Sequence, residues 1–519
     1  MISIAEFDYI VVGAGSAGCV IATRLSQDPD VRVLLVEAGS STPLEMMAIP
    51  PAWPLLQGTS ADWADTTVPQ AAADGLVVRW PRGRALGGSS SINAMCFLRG
   101  HRSSYDAWVG AGAVGWSYDD LLPYFKRSEN VTGVADRDAA IRGMDGPMRV
   151  RPAIERHPLA KAFLTAAVET GYKEAKDFAS GLEEGFGWSD MSIADGKRLD
   201  AATAYLRPVL DRPNLAVVTD ALVHRVTMDG DRCTGVEYSV GSDLVIARSQ
   251  AEVVLCAGAV GSPQLLMLSG IGPQEHLRQL GIETLVDLPG VGANLQDHPI
   301  SGIAYEATCP VASGADNHGE VQGLIRSNAH VEGPDVQLSI ADVPLHADGL
   351  PGPEMGRGYT IMVALMTPHS RGTIRLADPT PGIAPLIDPR YYADKRDLDA
   401  MVDGLRSARA IGDASALAEW RGKDVLPGVG VEDEEALRAY LRKNLLSYSH
   451  YTGTCRIGVD QTAVVSPDLR VYGVQGLRVA DASVMPSIPS ANTNATVYAI
   501  AERAAELLRA RVTRAHGTA

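Results

Sequence analysis

Phe7-Asp-Tyr-Ile-Val-Val-Gly-Ala-Gly-Ser-Ala-Gly18, an apolar segment, then Val31-Arg-Val-Leu-Leu-Val-Glu37-Ala-Gly39: this stretch decides the fold. The apolar run at residues 9–12 reads as a strand buried on both faces of a parallel sheet. Gly13, Gly15 and Gly18 follow at once, and Cys19, Val20, Ala22 and Leu25 continue at helical spacing. A second strand ends at Glu37, nineteen residues beyond Gly18. Strand, glycine turn, helix, strand and acid together make a βαβ dinucleotide fingerprint. Gly13 permits the tight turn, Gly15 lets the backbone approach a pyrophosphate, and Gly18 lets the helix lie against the sheet. The helix N-terminus offers free N–H groups and a positive dipole end to phosphates, and Glu37 is placed to accept from ribose hydroxyls. Which dinucleotide binds is left open by these residues.

Outward from that unit, bulk composition narrows the class. A chain of 519 residues is too long for one small core and implies two domains or one with large insertions. Its 46% hydrophobic and 21% charged residues are those of a soluble globular protein. A net charge of −16 argues against nucleic acid or an anionic membrane surface as partner. Apolar runs are interrupted well before the length of a membrane span, and with the first strand starting at about residue 7 no signal or transit peptide is expected. The six cysteines (Cys19, Cys96, Cys233, Cys256, Cys309, Cys455) lie far apart without a CxxC pair. They are expected to be buried thiols in a reducing cytoplasm, with no metal or disulfide framework.

Residues 43–60, rich in proline and methionine, cannot form a regular helix or central strand and are a candidate lid. Arg82 and Arg84 precede Gly87-Gly-Ser-Ser-Ser91, whose backbone and hydroxyl donors suit a polar ligand. Helices are expected at 117–130, 158–171, 261–272, 276–280, 395–412 and 433–445. Strands are expected at 214–219, 221–226 and 251–258, with a hairpin through Asp229-Gly-Asp231. From about residue 300 the pattern alternates, at 335–340, 359–365 and 372–376, as in an antiparallel sheet with one face on a core. The segment 309–320 is a second candidate lid. Near the end, Tyr448-Ser-His450 precedes Gly453-Thr-Cys-Arg-Ile-Gly458, and Asn492-Thr493 can cap a long helix.

At these residues the sequence resembles the glucose–methanol–choline family of flavin-dependent oxidoreductases, over nearly the whole chain and nearest to its choline-dehydrogenase-like alcohol oxidases and dehydrogenases. Gly83-Arg-Ala-Leu-Gly-Gly-Ser-Ser-Ser-Ile-Asn93 matches the family's first signature, and Gly258-Ala-Val-Gly-Ser-Pro-Gln-Leu-Leu-Met-Leu-Ser-Gly-Ile-Gly272 its second. His450 falls at the family's active-site histidine, and Asn492 where the family has a second histidine or an asparagine. The resemblance implies an α/β fold: a Rossmann-like FAD-binding domain (1–155, 205–300, 446–519) interleaved with an α+β substrate domain on an antiparallel sheet (156–204, 301–445). It implies FAD held by Gly13, Gly15, Ser16, Gly18, Glu37 and Ala38 at the adenosine and pyrophosphate, and by Val223 at the adenine. Arg82, Gly87, Gly88, Ser89, Asn93, Ala94, Met95 and Cys96 would lie toward the flavin. Asp481, Ala482, Asn492 and Thr493 would approach the pyrophosphate, ribityl chain and pyrimidine ring. Some members attach FAD covalently through a histidine; here that position is Ile92, so dissociable FAD is expected.

The implied chemistry is oxidation of a primary alcohol to an aldehyde, with oxygen or a quinone-type carrier as acceptor. His450 would take the hydroxyl proton and Asn492 hold the substrate oxygen. The helix after Asn492 would stabilise negative charge on the reduced flavin. His298, in Gln-Asp-His-Pro, is read as fixing a turn, and His369 as peripheral. Hydroxynitrile lyases and light-driven fatty-acid decarboxylases share the family and are the alternatives. Only 6% of residues are aromatic, which argues against a cage for choline and toward an aryl, furanic, sugar-like or other small alcohol.

Overall fold

The computed structural model describes residues 3–516. The βαβ unit forms as expected. Strand Ser3–Val12 leads into helix Ser16–Leu25, and Val33–Val36 returns parallel to the first strand. Residues 9–12 and 33–36 are buried, as a strand covered on both faces requires. Leu215–Val218 adds beside Val33–Val36, Asp243–Leu255 beside Ser3–Val12, and Leu477–Val479 beside the end of Asp243–Leu255, all parallel. An antiparallel hairpin, Ala221–Asp229 and Arg232–Val240, completes this seven-stranded sheet. Its turn is Gly230-Asp231, with Gly230 at φ +58° where only glycine, asparagine or aspartate is comfortable. Helices Ser16–Leu25 and Asn494–His516 pack together, pinned by Arg24 on the buried Glu502 at 2.7 Å.

The helix expected at 261–272 is displaced. It runs Gly258–Leu268, and Ile271–Gly272 pairs instead with Val286–Asp287. Gly258 and Gly270, both at positive φ, set its two ends. Pro263 lies inside this helix and has no N–H for the carbonyl four residues earlier. That carbonyl, of Ala259, accepts from the Thr454 hydroxyl at 2.6 Å instead, which ties the C-terminal segment to the helix.

A second seven-stranded sheet is wholly antiparallel, in the order Arg421–Leu426, Pro299–Ala307, Gly358–Leu365, Val336–Ala341, Val321–Ile325, Gly185–Trp188, with Leu446–Ser447 beside Pro299. Two expectations need correction. Thr373–Arg375 belongs to a separate pair with Leu386–Asp388. And the sheet is not open on one face, since Val336–Ala341 is buried at every position. Helix Lys395–Gly412 covers one side, where Gly404 abuts Val336 and Val363. By the period of two, Gln337 and Ser339 face the other way, with Gln322 paired opposite Ser339. That polar yet buried face is turned toward the C-terminal segment. The cysteines are unpaired; Cys309 is exposed, contrary to expectation, and the other five are buried. Among the described residues no helix is long and apolar enough to cross a membrane.

Candidate active site

The carboxyl ends of the parallel strands open into a cavity of about 290 Å³, where open α/β sheets bind ligands. Gly13, Gly15, Ser16, Glu37 and Ala38 line it from the first βαβ unit, and Val223 from the hairpin. Arg82, Gly88 and Ser89 come from the glycine–serine turn, and Asp481, Ala482 and Thr493 from the C-terminal segment. The chain is drawn close here. A Cβ on Gly88 would lie 2.6 Å from the Gly15 Cα, and one on Gly18 would lie 1.8 Å from the Gly13 carbonyl oxygen. Helix Ser16–Leu25 has no side-chain cap, so its first N–H groups face the cleft. Ser16 Oγ donates to Asn494 Oδ1 at 2.6 Å, which brings a second helix N-terminus to the same place. Two positive helix ends over a floor of glycine backbone suit a diphosphate. These residues therefore fit the pyrophosphate and adenosine of a dinucleotide.

Two carboxylates of the cleft also hold its own chain. Glu37 accepts from the Ala14 and Gly39 N–H groups, each at 2.8 Å, and burial lifts its pKa to about 7. Asp481 accepts from Gly258 N–H and Ser262 Oγ on one oxygen and from Ser483 N–H and Oγ on the other. Its four donors fix the strand-to-turn corner, and what Asp481 offers a ligand is backbone.

Of the remaining expected contacts, Gly18 is inside the first helix and Gly87 donates its N–H to the Ala14 carbonyl at 2.7 Å; neither lines the cleft. Asn93, Ala94, Met95 and Cys96 do not line it either, Met95 and Cys96 being buried and Asn93 and Ala94 half-buried. Met95 is buried at φ +58°, a strained conformation for a side-chain-bearing residue. The strain is held by Asn93 Oδ1 accepting from its N–H and by Arg198. The buried Arg198 guanidinium donates to the carbonyls of Met47, Ser90 and Asn93. Ile92 packs with Met47, Leu56, Ala61 and Ala85 under the 43–60 segment, which folds as two 3-10 turns.

His450 and Asn492, 42 residues apart in sequence, meet at the buried end: Asn492 Nδ2 is 3.2 Å from His450 Nε2. On the other side of the ring, His450 Nδ1 is 2.8 Å from Nδ1 of the fully buried His298, whose Nε2 is 3.1 Å from the Met366 carbonyl. A carbonyl only accepts, so His298 Nε2 carries its proton. Burial holds His298 neutral, its pKa well below the usual value, so its Nδ1 has a lone pair. His450 must then donate from Nδ1, and Nε2 is left unprotonated toward Asn492. Burial likewise depresses the His450 pKa, to about 3.

The main chain of His450 is fixed as well. Its N–H donates to Asp297 Oδ1 at 2.7 Å, while Asp297 Oδ2 accepts from Ser447 Oγ at 2.6 Å and from the Tyr391 hydroxyl. Burial raises Asp297 to about 6. Tyr448 packs its ring 4.3 Å from His450, and its hydroxyl donates to Gln337 Oε1 at 2.8 Å. His298, expected to fix a turn, thus backs the His450 ring, and Asp297 beside it fixes the His450 backbone. Their adjacency in Gln-Asp-His-Pro was the available signal. Arg198, Gln322 and Gln337 carried none. His369 lies outside this group, half exposed beside Asp397.

Comparison with known proteins gives the family. Residues 7–300 and 368–501 match the two family models described as GMC oxidoreductase. The chain belongs to the GMC oxidoreductase family. Similar proteins include the mitochondrial choline dehydrogenase of Homo sapiens, 40% identical over 97% of this chain and 90% of that protein. The oxygen-dependent choline dehydrogenase of Brucella anthropi is 36% identical, over 96% and 95% of the two. The crystal structure of pyridoxine 4-oxidase from Mesorbium loti superposes with a TM-score of 0.93 at 36% identity, covering 96% of this chain and 98% of that one. The protein is accordingly an FAD-dependent oxidoreductase acting on alcohols.

Proposed function

We propose that the protein oxidises a primary alcohol to an aldehyde with His450 as general base. The observation that carries this is the hydrogen-bond chain from Met366 through His298 to His450, which leaves His450 Nε2 unprotonated and facing the Asn492 amide. The alcohol donates its O–H to Nε2, and the Asn492 amide donates to the same oxygen as negative charge grows there. Once protonated, His450 keeps its Nδ1–H bond to His298, so one buried acceptor serves both charge states. Bound FAD supplies the acceptor for the hydride that leaves the same carbon. The relatives' names, choline dehydrogenase and pyridoxine 4-oxidase, agree with alcohol chemistry.

The residues that line the cleft would hold FAD, and Asn93–Cys96, His450 and Asn492 would serve the redox chemistry it supplies. The two sheets correspond to a cofactor part and a substrate part. The apolar setting of Ile92 supports non-covalent attachment: acid precipitation leaves the yellow colour in the supernatant, and colour retained in the pellet overturns this. The six unpaired cysteines support a reducing, cytoplasmic setting. Oxygen or a quinone-type carrier takes the electrons onward, and peroxide assayed after admitting oxygen separates the two.

The test of the base is His450→Ala. The variant keeps FAD and its fold, and anaerobic flavin reduction by alcohol falls about 10²- to 10⁴-fold, the usual worth of a general base. Reduction at the wild-type rate refutes the assignment.

A further inference from the structure

Beside the base, three side-chain atoms are buried with no hydrogen-bond partner: Gln322 Oε1, Gln337 Nε2 and Asn492 Oδ1. Gln322 is 2% exposed and Gln337 1%. The structure gives each amide one orientation. Gln337 Oε1 accepts from the Tyr448 hydroxyl, which leaves Nε2 as a free donor. Gln322 Nε2 points at Cys96 Sγ at 3.3 Å, which leaves Oε1 as a free acceptor. The group is contiguous: Gln322 pairs across strands with Ser339, Gln337 is two residues before Ser339 on the same face, and Tyr448 joins Gln337 to His450. Leaving a buried donor or acceptor unmade is costly, and a cluster with one of each is satisfied by a group that both donates and accepts.

We propose that Gln322 and Gln337 determine specificity, selecting alcohols whose remote end carries a neutral group that both donates and accepts, a second hydroxyl being the simplest. This rests on the alcohol oxidation proposed above. The cluster is made of uncharged amides, a phenol and a thiol, which offer a trimethylammonium group no countercharge. Asp297, the carboxylate bonded to this region, lies behind the His450 backbone and is already engaged by Ser447, Tyr391 and His450.

Anaerobic flavin bleaching by paired probes tests it: benzyl alcohol against its ring-hydroxylated forms, butanol against butanediol, and choline. At least one hydroxylated probe is oxidised about 10- to 1,000-fold more efficiently than its unsubstituted partner and than choline, as expected where a site's polar groups need a partner. Gln322→Met and Gln337→Met each lose about tenfold on that probe and change less than about threefold on the unsubstituted one. Equal use of both members of each pair, or preference for choline, overturns the proposal, as does an equal loss on both probes in variants that retain FAD. Wild-type selectivity alone decides if a variant loses FAD. If no alcohol bleaches the flavin, the alcohol-oxidation reading itself falls.

Discussion

The two ends of the site are built in opposite ways. The nucleotide end is made of main chain: glycine turns in van der Waals contact and two helix N-termini, with Glu37 and Asp481 spent largely on holding their own backbone. The proposed reacting end is made of side chains from segments far apart, with His298, Met366, His450 and Asn492 joined in one chain of hydrogen bonds. Main-chain sites recognise what all dinucleotides share. Side-chain sites set a proton's position and choose a substrate. Substitutions at the two ends should therefore fail differently, the first in cofactor retention and the second in the rate of flavin reduction.

The largest expected effect that separates them is Gly88→Val. Gly88 is at φ +54°, and any Cβ falls 2.6 Å from the Gly15 Cα. Left-handed strain of about 1–2 kcal/mol and overpacking of about 1–3 kcal/mol fall on the contact that forms the cradle. FAD affinity is expected to drop at least about 30-fold, while the fraction still loaded reduces at the wild-type rate. Equilibrium FAD titration with single-turnover reduction measures both. Slow reduction in the loaded fraction would show that the two ends are not separable.

His298→Leu tests the other end. It removes the acceptor of the His450 Nδ1 proton and leaves that N–H buried and unpaired, a loss of about 1–3 kcal/mol. Flavin reduction should slow about 10- to 100-fold, with FAD affinity unchanged. If the rate is kept, Nε2 is not held as the base by His298.

The same contrast governs what the sequence discloses. Gly13, Gly15, Gly18 and Glu37 are legible because a βαβ unit is local and its glycines answer to steric rules that spacing alone expresses. His450 and Asn492 are recognisable through their resemblance to a family. Their proximity depends on how two sheets pack, which no spacing encodes. Gln322 and Gln337 look like ordinary polar positions of an alternating strand. They become informative only once helix Lys395–Gly412 is seen on one face of the sheet and His450 beside the other. The displaced helix at Gly258–Leu268 shows the reverse error: Pro263 suggested a helix start, but Thr454, about 190 residues away, satisfies the carbonyl that proline leaves.

The smallest expected effect concerns the two segments that were candidate lids, which the structure joins. His318 Nδ1 is 2.6 Å from Asp342 Oδ1, and its Nε2 is 2.9 Å from the Pro51 carbonyl. Trp53 Nε1 donates to the Asn317 carbonyl at 3.0 Å, and Asn317 Nδ2 reaches Cys96 Sγ at 3.2 Å. Both partners of His318 are acceptors, so both ring nitrogens must carry protons for both bonds to exist. Burial works against that cation, but the hydrogen bond and charge of Asp342 outweigh it, and the His318 pKa is raised above 6.5 while that of Asp342 is lowered. For a group whose folded pKa is raised, the stabilisation is complete below the ordinary histidine value and is lost as pH rises through the folded value. The clasp should therefore loosen on the alkaline side of 6.5, by about 1 kcal/mol, the net worth of one hydrogen bond. Hydrogen exchange across residues 45–56, corrected for intrinsic rates, should show roughly fivefold more opening in alkaline than in mildly acidic buffer. His318→Gln, which cannot be charged, should remove that dependence and leave FAD affinity and the His450 chemistry intact. A dependence that survives the substitution would assign the pH response to some group other than His318.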